Sequence, residues 1–347
     1  MRHLALVALA VAACGDNRHL PIDAGPADTA VDTGDAGNPL EPPTLFGTGL
    51  CVDQACTQIS ADVQAYEPQY VLWADGATKK RWMYLPPGTQ IDTSNMDRWE
   101  FPQGTKFWKE FDVGGKPIET RYIVKIGAGD AVSDWYWVAY EWNAAGDDTT
   151  AEPFGDNDAG GTTHDIPPQV QCKQCHDGLQ PTRILGFGAI QLDWDNPDTT
   201  SLDLDRVVAA NMLTVAPAGA ASPRYPLPGT ATEVAALGYL HANCGHCHNP
   251  TGAAYTTSSP PVAMFLRLDV GTLGSTATTP TYMTAIDATA AYPIDGLTTI
   301  VVPGQPAMSL LIDRFETTNP ANHMPKIASK MTDPTGDATL QAWVTGL

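Results

Sequence analysis

Positive charge is scarce in this sequence: 19 Lys and Arg stand against 39 Asp and Glu in 347 residues, a formal net charge of −20. A surface of that sign repels nucleic acid and anionic headgroups, so no nucleic-acid partner is expected, and it favours a partner with a basic face. Long apolar runs are missing too. No stretch of 18 apolar residues occurs, so no segment reads as a membrane-spanning helix. No internal repeat is found apart from one short pattern that occurs twice. Hydrophobic residues nevertheless make up 43% of the chain. That is enough to bury sizeable cores, and the length suits two or three compact units at roughly 100–200 residues each.

The first 14 residues read as a processed leader. Met1-Arg2-His3 is a short basic start, Leu4 to Ala13 is apolar, and small residues lead into Cys14. This is the order of a secretory signal. Val11-Ala12-Ala13-Cys14 resembles the bacterial lipobox, which implies an acylated Cys14, a lipid anchor in a membrane, and a periplasmic or cell-surface location. The alternative is an ordinary signal peptide with an unassigned Cys. Residues 15–45 are Asp, Gly, Ala, Pro and Thr with almost no large apolar side chains. Such a stretch cannot repay its ordering entropy, so a disordered acidic tether is expected.

Residues 46–165 change character and read as a β-rich domain. Trp73, Trp82, Trp99, Trp108, Trp135, Trp137 and Trp142 lie here. The runs Tyr122 to Ile126 and Asp134 to Trp142 are β-branched or aromatic, with turn signals between such runs at Pro86-Pro87-Gly88, Pro102-Gln103-Gly104 and Val113-Gly114-Gly115. An antiparallel β-sandwich-like domain is expected, its aromatics being core rather than a sugar-binding face. Cys51 and Cys56 are expected to form a disulfide closing a short loop, which constrains the unfolded chain by only about 2 kcal/mol.

The remaining four cysteines fall into two identical patterns, Cys172-Lys173-Gln174-Cys175-His176 and Cys244-Gly245-His246-Cys247-His248. Two thiols two residues apart span the two vinyl groups of one porphyrin, and the His that follows is carried beneath the iron. The spacing therefore predicts two covalently bound haem c groups, with His176 and His248 as proximal iron ligands. Structural zinc is the main rival, but its paired halves usually lie about 12–20 residues apart, and these begin at 172 and 244. A disulfide within each pair leaves both His unexplained.

The fold class expected is α+β: the β-domain, a first haem-binding segment at 166–227, and a mainly helical, cytochrome c-like second haem domain at 228–347. Helices are expected over Ser201–Leu213, capped by Ser201, over Thr232–Asn243, leading into Cys244, and over 337–346. Gly238 is expected to let Trp343 approach closely. For the second iron, Met324 is the expected sixth ligand, because Met324-Pro325 stands just ahead of the terminal helix. Met308 is the competitor but reads as a core residue at a helix start, and His323 as a surface residue. For the first iron, Met212 reads as core, while His164 and His241 are possible ligands, neither of them assigned.

The chain resembles a family of bacterial di-haem c-type cytochrome lipoproteins over residues 65–347. The resemblance rests on Trp73-Ala74-Asp75-Gly76-Ala77-Thr78-Lys79-Lys80-Arg81-Trp82, Tyr84-Leu85-Pro86-Pro87-Gly88-Thr89, Gly104 to Phe111 and Glu119-Thr120-Arg121. Gln171 to His176, Tyr239-Leu240-His241-Ala242-Asn243-Cys244 to His248, and Met324-Pro325 complete it. It implies an extracytoplasmic electron carrier or relay and supplies no substrate, so enzymatic activity is left open. The alternatives are a di-haem redox enzyme of the peroxidase or sulfur-compound dehydrogenase type, and a surface binding protein with a haem module.

Overall fold

Aromatic and β-branched runs between positions 64 and 151, with apolar side chains on both sides of the strands, build one antiparallel sheet. In a computed structural model describing residues 40–327 and 329–347, six strands run in sequence order across it. They are β1 (Gln64–Ala65), β2 (Thr78–Tyr84), β3 (Lys106–Val113), β4 (Lys116–Lys125), β5 (Trp135–Trp142) and β6 (Thr149–Ala151). A second sheet, expected from the sandwich reading, is absent here. The only other pair among the described residues is the hairpin β7 (Thr289–Ile294) and β8 (Leu297–Thr299). The strands form a meander rather than a sandwich: an irregular strap covers one face and a segment carrying two short helices covers the other.

One face carries Trp82, Trp108, Tyr122 and Val138 in a single cross-strand row. They pack with Leu45, Leu50 and Cys51 from the preceding segment. The Trp108 indole donates to Thr48 Oγ1 at 2.8 Å, and Leu45 N–H donates to Thr149 Oγ1 at 2.8 Å. Cys51 and Cys56 are joined as a disulfide in this strap. The tether is expected to reach position 45, but positions 41, 42 and 45 are packed on the sheet. Glu41 meets the Tyr136 hydroxyl, the Pro42 carbonyl accepts from Tyr140, and Leu45 is buried. Its apolar side chain gives this end a surface to bury. Residues 1–14, with Cys14, and 15–39 lie outside the described residues.

The opposite face carries Met83, Phe107, Ile123 and Trp137 in one row. It packs on Phe187, Leu192, Leu204 and Met212 from the segment after the first Cys-x-x-Cys-His motif. Met212 is thus core.

Eight helices follow: α1 (Gln169–His176), α2 (Ala189–Leu192), α3 (Leu204–Ala209), α4 (Ala231–Asn243), α5 (Ala253–Thr256), α6 (Pro280–Ala285), α7 (Leu310–Glu316) and α8 (Pro334–Gly346). The class is α+β. The helix expected over 201–213 shrinks to α3. Asp203, not Ser201, caps it by accepting from Arg206 N–H at 2.9 Å, and the left-handed turn at Asn211 follows its end. Thr230 and Glu233 form a reciprocal capping box that starts α4. Pro334 opens α8, where its missing N–H costs nothing.

Helices α4 and α8 pack together, with Ala236 and Leu240 against Leu340, Trp343 and Val344 in one core. Gly238 has a different role from the one expected. A Cβ there would sit 2.1 Å from the Tyr70 ring, whereas the close approach between α4 and α8 is Gly336 on Tyr239, at 2.3 Å. Tyr70 docks on α4 from the sheet side, so the small residue serves that contact. Met308, expected in the core, is exposed, because a short 3-10 turn ends there and α7 begins two residues later.

Candidate functional site

The two Cys-x-x-Cys-His motifs arise from different local structure. Cys172, Cys175 and His176 lie on the short helix α1, which packs on β5 through Gln169 Nε2 donating to the Trp137 carbonyl at 2.6 Å. Cys244 is the residue that ends α4, and Cys247 and His248 follow in a tight turn. Asn249 knits that turn by donating to the carbonyls of Gly245, at 2.8 Å, and His246, at 3.0 Å. Asn243 ties the helix end to the sheet side of the molecule, accepting from Trp73 N–H at 2.6 Å.

The fold brings the two motifs into contact. Thr251 Oγ1 donates to the Gly178 carbonyl at 2.8 Å. A Cβ on Gly178 would lie 2.7 Å from the His246 carbonyl oxygen and 2.8 Å from Gly252 Cα, so glycine is needed for the backbones to meet. The ligand atoms of Cys175, His246 and Cys247 lie within 4.8 Å of one another. The bond from Cys247 and the nearby His246 draw the Cys175 thiol well below its ordinary value, against its burial, while Cys247 is pushed up. Burial raises Cys172 to about 11, against the pull of Arg121, and Cys244 to about 12. All four are free thiols.

The imidazoles are set up differently, and the tautomer separates them. His176 Nδ1 lies 2.5 Å from the Arg183 carbonyl and must donate to it, which leaves the Nε2 lone pair free to bind a metal. Burial lowers its pKa to about 4, keeping the ring neutral at pH 7. His248 is likewise buried and lowered to about 4. The Met264 carbonyl is the acceptor nearest to holding its ring, although Nδ1 completes no full hydrogen bond.

His241 is the reverse case. Its Nδ1 accepts from Leu268 N–H at 3.0 Å, so the neutral ring carries its proton on Nε2 and offers no lone pair there. His164 is committed elsewhere, with Nε2 2.8 Å from Glu119 Oε2 in a buried pair. His323, expected on the surface, is buried. Its Nδ1 lies 3.0 Å from the Thr317 carbonyl, and its Nε2 has no partner. Beside it, Met324 is partly buried and held by its N–H donating to the Arg314 carbonyl at 2.8 Å.

Between the chain that follows the first motif and the start of the second lies an open cleft with about 70 Å³ of enclosed space, walled by Trp99, Thr182, Phe187, His241 and His246 among others. Around it Trp99 Nε1, Thr182 Oγ1 and His246 Nδ1 are buried without a partner. Paired free thiols and a neutral imidazole oriented through its far nitrogen are the donor set of a covalently held porphyrin, while the cleft is walled by none of the six motif Cys and His residues. The same geometry also weakens one argument against zinc, since Cys175 and Cys247 are distant in sequence and adjacent in space.

No protein family, curated protein or solved structure matches the chain. The resemblance to di-haem cytochrome lipoproteins therefore stands on its sequence strings alone.

Proposed function

We propose that this chain is a di-haem c-type cytochrome that relays electrons outside the cytoplasm. Cys172, Cys175 and His176 would hold one haem and Cys244, Cys247 and His248 the other. The observation that carries this reading is the contact between the two motifs, which places Cys175 and Cys247 at one point. Bound haem supplies one-electron redox chemistry, and two attachment points in contact suit passage from one centre to the other. The net charge of −20 suits a redox partner with a basic docking face. A leader ending at Cys14 would anchor the chain to a membrane, in the periplasm or at the cell surface.

The test is the mass of the protein matured in a host competent for cytochrome assembly. Two added porphyrins are expected, with Cys172→Ala/Cys175→Ala removing one of them; a mass equal to the bare polypeptide would overturn the proposal. Met324→Ala should turn one haem high-spin. If His323→Ala does so instead, His323 and not Met324 is the sixth ligand.

One observation favours a second reading: Cys175, His246 and Cys247 alone make a three-ligand site for a thiolate-loving ion such as zinc. It leaves Cys172, Cys244 and the oriented His176 without a role. Stoichiometric zinc in protein that carries no porphyrin would establish it.

A further inference from the structure

In so acidic a chain, three of the few cations occupy adjacent places on one sheet face. Arg81 on β2 pairs with Lys109 on β3, and Lys109 pairs with Arg121 on β4. Like charges directly opposite one another on a sheet repel, and burial makes this worse. Desolvation and the neighbouring Arg81 and Arg121 charges hold the Lys109 amine well below its usual value.

Only one of the three is neutralised. Arg121 donates to Glu119 through Nε at 2.6 Å and Nη2 at 2.9 Å. Arg81 is 5% exposed. Among the described residues neither Arg81 nor Lys109 has a carboxylate within ion-pair distance or a side-chain hydrogen bond. Both side chains instead line a small second cavity, which shares Leu185, Gly186, Gln191 and Ala242 with the wall of the main cleft.

The row also runs away from the first motif. The His176 ring lies 6.3 Å from the Trp137 ring on β5, Arg121 pairs with Ala139 on the same strand, and Lys109 and Arg81 stand one and two strands farther off. Neighbouring strands lie about 4.8 Å apart, so Arg81 stands roughly 10 Å from Arg121. A porphyrin carries its two carboxylates on the edge opposite its vinyl carbons. Cations that meet them must therefore sit away from the thiols, as Arg81 and Lys109 do.

We propose that Arg81 and Lys109 form the carboxylate clamp of the porphyrin held at Cys172–His176, with Arg121, braced by Glu119, completing the row on the thiol side. This rests on the di-haem reading and names residues that the sequence motifs do not contain. The clamp gives close counter-charges to Arg81 and to Lys109, whose Nζ lies over the Phe111 ring at 4.9 Å. It also places fixed positive charge beside one iron, which disfavours the more positive oxidised state.

The test is a redox titration of the holoprotein with porphyrin mass read on the same sample. Lys109→Met should keep two porphyrins yet lower one of the two potentials by at least a tenfold change in the oxidised-to-reduced ratio, about 59 mV for one electron. Arg81→Gln, an independent change at the other end of the pair, should lower the same potential. Lys109→Arg should leave it in place. Lys80→Met, whose side chain pairs with Glu110 on the opposite face of β2, should move nothing. In a Cys172→Ala/Cys175→Ala background the remaining potential should ignore Lys109→Met.

Two porphyrins with both potentials unmoved by Lys109→Met and Arg81→Gln would overturn the clamp and spare the di-haem reading. No porphyrin at all would overturn both. A wild-type potential that shifts with millimolar acetate, and stops shifting in Lys109→Met, would mean the cations serve a small free anion, which also overturns the clamp.

Discussion

The two faces of the six-stranded sheet are made from the same strands and are finished to different degrees. On the face under the N-terminal strap, the Trp108 and Trp142 indoles both donate, to Thr48 Oγ1 at 2.8 Å and Thr120 Oγ1 at 3.0 Å. Trp108 stacks on Tyr122 with ring centres 5.7 Å apart. On the face toward the motifs, the Trp135 and Trp137 indole nitrogens are buried without a partner, and Arg81 and Lys109 have no carboxylate within ion-pair distance among the described residues. Buried polar groups are ordinarily satisfied, so a face left incomplete on one side only marks where something else belongs. Both faces carry a hydrophobic core, and only the motif side leaves indole donors unpaired among the described residues.

That contrast breaks if damage to the finished face disturbs the site. Trp108→Ala should cost about 3–5 kcal/mol, the range for emptying a large aromatic site, measured by denaturant unfolding. The loss should be equal in protein matured with and without porphyrin. A loss confined to matured protein would tie this face to the site.

Glu119→Gln tests the other face and should cost about 3 kcal/mol, since it strips a buried partner from Arg121 and His164. Burial raises the Glu119 pKa, but Arg121 and His164 overcome this and hold it below the ordinary 4.5. A carboxylate lowered in the folded state adds stability above its unfolded pKa and loses it as pH falls through the folded one. The wild-type melting temperature should therefore drop on acidification below about pH 4.5, and Glu119→Gln should flatten that limb. An unchanged acid limb would remove the pair from the stability of this face.

Thr48→Val leaves the Trp108 indole N–H buried and unpaired, a cost of about 1–2 kcal/mol by the same unfolding measurement; a neutral result would mean water replaces the hydroxyl. Smallest is Thr251→Val, which cuts the bond between the two motifs for about 1 kcal/mol. It should raise hydrogen exchange at Gly252 and its neighbours while leaving β3 and β4 protected. Faster exchange across the sheet as well would show that the two regions open together.

Much of the fold can be read from residue order. The aromatic run from Asp134 to Trp142 falls on β5, and five of the tryptophans from Trp73 to Trp142 are buried. The capping box at Thr230 and Glu233 and the proline at position 334 announce α4 and α8 within a few residues. The sandwich was misread because nothing in the strand pattern says whether a second sheet or an irregular strap covers a face. His323 was misread as exposed because a lone polar residue carries no periodicity. Its burial and its carbonyl partner at Thr317 depend on how the chain folds back after α7.

Residue order alone fixes the reactive groups, since two identical pairs of thiols, each followed by an imidazole, are a covalent pattern that no packing can alter. It also fixes the strands, because side-chain period is a local property. Only the tertiary structure decides that the two motifs touch at Cys175 and Cys247, that His241 has the wrong tautomer and His176 the right one, and that Arg81, Lys109 and Arg121 stand in a row. Those outcomes hang on backbone carbonyls, strand register and glycine-thin contacts between segments far apart in the chain, none of which leaves a mark on the local sequence.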